Sequence, residues 1–321
     1  MELHTYIPKF VAKNKPIFKM SAIKVTKQHT LTGHRDCVYV ITESKDSEYF
    51  FSGAGDGMIA RWNINDPENG ELVAKLPNSI YALHYHTYSD QLIAGHNYDG
   101  IHIIDWKNKK EVKSLHIGNA AIFDIQSVGK TLIVALGNGE IVFIDSDANQ
   151  IIDRIHPTDQ SARTIAIHPN KKEIAVGFSD NTIRIFHSES HKKLIKLKSH
   201  TNSVFTLAYS SDGSKLLSAG RDAHLKIWNA EDYTLEDDIV AHMYAINNIV
   251  FNPAKTHFAT CSMDKSIKVW DATTNKLLKV IDKSRHAGHG TSVNKLIWSQ
   301  KENLLISASD DRTISIWNIE L

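Results

Sequence analysis

The sequence predicts an all-β fold: a single seven-bladed β-propeller with four antiparallel strands per blade, the last blade completed by the N-terminal strand. Three observations predict it. One strand–turn–strand signal is written four times, its tryptophans keep a period near 42, and the last copy stops one strand short of a full unit.

The signal is clearest from Leu216 to Asn229, LLSAGRDAHLKIWN. Small residues Ser218, Ala219 and Gly220 lead into a turn that carries Asp222, and Leu225 and Ile227 then alternate with Lys226 up to Trp228. Small residues, a turn aspartate and an alternating apolar run are hairpin chemistry. FFSGAGDGMIARWN, FATCSMDKSIKVWD and LISASDDRTISIWN repeat it, each with an aspartate six residues before the tryptophan: Asp56 and Trp62, Asp264 and Trp270, Asp311 and Trp317. Three weaker copies carry Ile104, Ile144 and Phe186 in place of tryptophan. Positions 62, 104, 144, 186, 228, 270 and 317 are spaced by 42, 40, 42, 42, 42 and 47 residues. A period near 42 with a terminal Trp-Asp or Trp-Asn suggests blades of four strands around a ring.

A second marker runs in phase. His34, His200, His242 and His289 each lie 28 residues before a tryptophan, and Ser52, Ser218, Thr260 and Ser307 lie ten before. With these four features in register, residues 20–321 resemble the WD-repeat β-propeller family. The resemblance implies a hydrogen-bonded tetrad inside each complete blade: His34/Ser52/Asp56/Trp62, His200/Ser218/Asp222/Trp228, His242/Thr260/Asp264/Trp270 and His289/Ser307/Asp311/Trp317. Ser, His and Asp also make hydrolase triads, but one active site does not recur around a ring, so these sets are read as structural and no catalytic residue is assigned. In blades 2, 3 and 4 the hydroxyl position holds Ala94, Val134 and Val176, which predicts apolar packing there.

Composition narrows the function. A net charge of +1 calls for neither nucleic acid nor an anionic membrane. Cys37 and Cys261, the only cysteines, each fall in a strand pattern and suggest a reducing compartment without disulfides. No run approaches the ~18 apolar residues of a membrane span, and no signal peptide is legible. A cytoplasmic, monomeric propeller is the expectation.

Taken in order, residues 1–19 form an N-terminal extension with four lysines and two prolines, Pro8 and Pro16, which argue against a continuous helix. Three readings compete: a flexible tail, a start at Met20, or a docking segment. Residues 21–31 alternate Ile23 and Val25 with Lys24 and Lys27, as a strand does. This strand should complete blade 7 and close the ring, removing open sheet edges; loss of residues 20–31 should unfold the protein or make it aggregate. Outer strands are expected at 71–76, after a Pro/Asn/Gly turn, and at about 111–116, 150–155, 193–197, 234–239 and 277–282. The extra length of the last repeat falls in DKSRHAGHG, expected to be a projecting loop and a minor candidate for specificity.

Each inner strand opens with a recognisable pair: VYVI from Val38, IYAL from Ile80, IFDI from Ile122, RTIAI from Arg163, VFTL from Val204, INNI from Ile246 and VNKL from Val293. The family resemblance places one residue of each at the channel mouth: Tyr39, Tyr81, Phe123, Arg163, Phe205, Asn247 and Asn294. In related propellers this position often contacts a bound peptide or protein. Aromatics and Arg are what binding hot spots are enriched in; the competing reading is that the ring pads contacts between blades. Residues just before the turn aspartates, among them Arg221, Met263 and Asp310, should reach the same face.

Weaker constellations follow. His84 and His86 share one strand face but lack a third ligand, so no metal is assigned. Gly53-x-Gly55 sits in a hairpin without a following helix, so no nucleotide cofactor is assigned. The lysines at 107–110 and 192–198 lack interleaved aromatics, which argues against nucleic acid. The function expected is a non-enzymatic scaffold for a protein or peptide partner at the channel mouth. The alternative is a propeller enzyme or small-molecule binder acting in the channel, where Asp124, Arg163 and Lys295 are the main ionisable groups.

Overall fold

A computed structural model describes residues 23–98, 100–198 and 200–321. The described residues form seven four-stranded antiparallel sheets. In six of them the strands follow chain order from the inner to the outer position. In the seventh, Lys24–Leu31 pairs with Ile314–Glu320, running from Lys24 opposite Glu320 to Leu31 opposite Ile314. The ring is thus closed by both ends of the fold, and Ile314–Glu320 has a partner on each side. The readings of residues 1–19 and of Met20 lie outside the described residues.

The alternation in each strand explains the packing. The second strands are buried on both faces, as in Leu304–Ser309, inner strands such as Ile122–Val128 mix buried and half-buried residues, and outer strands such as Lys110–Leu115 stay largely exposed. Apolar side chains collect between neighbouring blades. Phe51 and Ile59 of blade 1 pack with Tyr85, Leu92, Ile104 and Trp106 of blade 2. Ile306, Ile314 and Ile316 of blade 7 pack with Val38, Ile41 and Phe50 of blade 1. The core is therefore a set of wedges, each of which needs its neighbour.

Several elements differ from the sequence reading. The first outer strand runs Asp66–Lys75, and the turn before it is Ile64-Asn65, not the Pro/Asn/Gly stretch. Asn63 accepts from the Asn65 N–H, and Gly70 lies flat against the Trp62 indole, where a Cβ would stand 2.4 Å from the ring. The inner strand of blade 4 starts at Ala162, which makes Arg163 its second residue. The insertion in the last repeat is a one-turn helix, Lys283–His286, capped by Asp282 and followed by Ala287 with φ 53°. The Ala287 carbonyl accepts from Lys27 of the N-terminal strand, which ties the insertion back to the closure. Cys37 stands just before its strand and is half-buried, whereas Cys261 is buried within one; both are free thiols. No helix of the described residues is long and apolar enough to cross a membrane.

Candidate functional site: the channel mouth

Hydrogen bonds inside the blades fix the loops that frame the mouth. In blade 5 the Trp228 indole donates to Ser218 Oγ at 2.8 Å, Ser218 lies 2.7 Å from His200 Nε2, and His200 Nδ1 lies 2.9 Å from Asp222. Asp222 can only accept, so the proton sits on Nδ1, and Nε2 accepts from the serine. Blade 1 repeats the chain through His34, Ser52, Asp56 and Trp62. Blade 6 uses His242, Thr260, Asp264 and Trp270, and blade 7 uses His289, Ser307, Asp311 and Trp317. Each aspartate also accepts the N–H of the residue after the histidine, as Asp222 does from Thr201. Burial disfavours the Asp222 charge, but His200 and the N–H groups of Thr201 and His224 outweigh it and hold the carboxyl at about 2.

Blades 2 and 4 replace the tetrad differently. Ala94 and Val176 are fully buried, but polar links persist beside them. In blade 2, His96 Nε2 lies 2.7 Å from His102 Nε2, whose other nitrogen lies 2.9 Å from Glu111. In blade 4, Asp180 pairs at 2.6 Å with Arg184, which stacks over Phe178. Apolar packing alone therefore does not describe these blades; a different buried cation or imidazole takes the histidine's place.

All seven inner strands carry a β-bulge, and the extra residue is in each case the residue read as the rim. Val38 pairs with Ala54 and Val40 with Gly53, so Tyr39 has no partner opposite. The same skip isolates Tyr81, Phe123, Arg163, Phe205, Asn247 and Asn294. A bulge re-aims the side chain that it leaves unpaired. Here it turns one side chain per blade toward the axis, and all seven line a cavity of about 570 Å³. None of the seven is fully buried.

The seven residues form two arcs. Tyr39 and Tyr81 lie 4.7 Å apart between ring centroids, and Tyr81 and Phe123 lie 6.4 Å apart. The Arg163 guanidinium sits over Phe123 at 3.9 Å and over Phe205 at 4.9 Å. Burial lowers its pKa, and Arg221 nearby lowers it further. On the other arc, Asn247 donates to the Val293 carbonyl at 2.8 Å, and Asn294 donates to the Val38 carbonyl at 3.0 Å and to Asp310 at 2.7 Å. The asparagines bridge blades, whereas the aromatic faces and Arg163 offer surface to the cavity.

The turns before the aspartates flank this ring. The N–H groups of Gly55, Gly137, Ser179, Arg221, Met263 and Asp310 all donate to carbonyls just ahead of the inner strands, at 2.7–3.1 Å. Asn97 joins the face through its carbonyl, which accepts from Asn78. Met243, Tyr244 and Met263 are exposed beside Asn247, and Arg221 is exposed beside Phe205.

A second tier lies one residue deeper. Asp124 accepts the Ile165 N–H of the next blade at 2.7 Å, Thr206 accepts that of Ile249, and Asn248 accepts that of Leu296. These latches occupy N–H groups on the free edges of the inner strands. Burial drives the Asp124 carboxyl up, against Lys295, the Ile165 N–H and Gln126. Farther down, burial and His86 push His84 to about 3; its Nε2 meets Ser127 Oγ at 2.8 Å. Glu43 accepts from Ser299 and from the Gln300 N–H. His86 is bonded through both nitrogens, to Ser89 and the Gly129 carbonyl. Among the described residues no group of three His, Cys, Asp or Glu is placed to hold a metal. The lysines at 107–110 include two paired with acids, Lys107 with Asp90 and Lys109 with Glu71.

The bulges and latches were invisible to a reading by strand alternation, which puts residues two apart on one face. A repeated second-position residue was the one sequence signal for the rim; the latches left none.

A family model described as WD domain, G-beta repeat matches residues 25–63, 152–187, 191–229, 234–271 and 280–318, together more than half of the chain. The unmatched stretch falls on blades 2 and 3, whose hairpins carry Ile104 and Ile144 in place of tryptophan. Among curated proteins none matches the chain.

Proposed function

The chain belongs to the WD40 (WD domain, G-beta repeat) family, and from that premise we propose that it is a non-enzymatic scaffold whose channel mouth holds a protein or peptide partner. Propellers of this family generally serve as protein-interaction scaffolds. The observation that carries the reading is the bulge in every inner strand, which aims seven side chains into one cavity. Contacts between blades explain only part of the ring: Asn247 and Asn294 bridge blades, but buried apolar wedges and backbone latches already join them, and the aromatic arc with Arg163 lines the cavity. The aromatic arc of Tyr39, Tyr81, Phe123 and Phe205, with Arg163 stacked in it, has the composition of an interface hot spot.

Ionisable groups of the channel support binding over catalysis. Asp124 and Glu43, its carboxylates, are each held by backbone and side-chain donors.

A pull-down from native lysate compares the wild-type chain with a Tyr39/Phe123/Phe205→Ala variant of matched melting temperature. A partner retained by the first and lost by the second is the expected result. Equal retention would move the site to the blade sides or the outer strands.

A further inference from the structure

We propose that the mouth is built for a peptide with a carboxylate side chain, which docks on the outer edge of Arg163 and on Arg221. The proposal rests on the mouth being the partner site and adds the chemistry of what binds there.

Arg163 is a cation held in place by apolar surface. Its guanidinium lies over the rings of Phe123 and Phe205, at 3.9 and 4.9 Å, and no carboxylate of the described residues is paired with it. This contrasts with Arg184, Arg61 and Arg285, each of which has an acid. Stacking on two rings restrains the guanidinium plane, and Arg163 lines the cavity. Arg221 stands beside it: its N–H is bonded to the Ser203 carbonyl, two residues before Phe205, and its side chain is exposed. Two like charges brought together without an anion cost free energy, and an incoming carboxylate relieves that cost while making bidentate hydrogen bonds.

The opposite side of the ring holds acids as well as a cation, Lys295, which lines the same cavity. Asp36 and Asp310 flank the junction of blades 7 and 1, where the Cys37 thiol donates to the Asp310 carbonyl. The two poles are separated by the Tyr39–Tyr81–Phe123 arc on one side and by Asn247 and Asn294 on the other. The exposed Met243, Tyr244 and Met263 offer apolar surface at the entry to the next inner strand, Ile246–Phe251. The fitting occupant is an extended segment with Asp or Glu next to a bulky apolar residue.

The test pans a random dodecapeptide phage library, which carries no phosphate, on the full chain, and then measures synthetic versions of the recovered peptides by fluorescence anisotropy. Enrichment of Asp or Glu is expected. Arg163→Met, which keeps an apolar stem between the two rings, should weaken binding about tenfold to a hundredfold, and Arg221→Ala should weaken it about threefold or more. Replacing the peptide's acid by its amide should cost at least as much as Arg163→Met on the wild-type chain, and on the variant only the smaller Arg221 share of about threefold. Peptides without acid enrichment, or an amide penalty that persists undiminished in Arg163→Met, would overturn the carboxylate assignment while leaving a mouth site intact if Tyr39/Phe123/Phe205→Ala still abolishes binding. Recovered peptides indifferent to that triple variant, or no recovered peptide at all, would instead contradict the mouth reading itself.

Discussion

Ser218 has three tasks within 3 Å: its oxygen accepts the Trp228 indole N–H, its hydroxyl donates to His200 Nε2, and it so keeps the His200 Nδ1–H aimed at Asp222. Ser218→Ala leaves an indole N–H and an imidazole nitrogen buried without partners. A buried unpaired group costs about 1–3 kcal/mol, and urea unfolding should show a loss in that range. The aspartates add a pH dependence of definite sign. Asp222 is held at about 2, and Asp264 and Asp311 lie well below the usual carboxylate range, where burial is outweighed by His242 and His289. Their folded values lie below the unfolded value of about 3.9. The stability they add is therefore complete above pH ~4 and is lost as the pH falls through about 2. His242, pushed down by burial despite Asp264, acts in the same direction from pH ~6.5 downward. Asp124 and Glu43, pushed up by burial, act oppositely, so a variant is the fair comparison. The melting temperature of Asp222→Asn should fall less than that of wild type between pH 4 and pH 2. These roles were legible as residue types at fixed offsets. Arg184 in blade 4 was not, because the shared turn aspartate, Asp180, takes an arginine there instead of a histidine, and neither was the His96–His102 pair in blade 2, whose place in the blade no tetrad residue occupies.

Strands were legible because seven copies could be laid over one another, so weak signals in blades 2 and 3 borrowed strength from Trp62 and Trp228. Irregularities that every blade shares were hidden for the same reason. The bulges change no residue type, only which face a residue takes, and alternation carries no record of them. The stretch Asp66–Lys75 misled differently: Pro67, Asn69 and Gly70 look like a turn, yet Gly70 is needed where the chain crosses the Trp62 ring. Two predictions belong to this scale. Thr206→Val keeps the shape of the second tier but removes the acceptor for the Ile249 N–H. It should cost about 1–3 kcal/mol in the same unfolding assay. Deletion of Lys24–Leu31 removes the partner of Ile314–Glu320 and the lid over Trp317, which Lys27 covers at 5.4 Å. Loss of a cooperative melt, or aggregation on size exclusion, is the expected outcome; an unchanged melting temperature contradicts closure by this strand.

At the scale of the molecule, the wedge packing and the strand exchange make a disc whose parts depend on their neighbours, and the bulges give that disc one face with an organised cavity. The ring itself followed from the period. Which of its surfaces meets a partner did not, because Tyr39, Phe123 and Arg163 take their meaning from one another across three blades and lie far apart in the chain. The most direct test places a photo-crosslinking benzoylphenylalanine at Tyr39 in one protein and at Leu194, an exposed outer-strand position, in another. Both are irradiated in native lysate and their adducts identified by mass. If the mouth is the binding site, position 39 captures a defined partner that position 194 does not. Capture of that partner from position 194 with none from position 39 contradicts it.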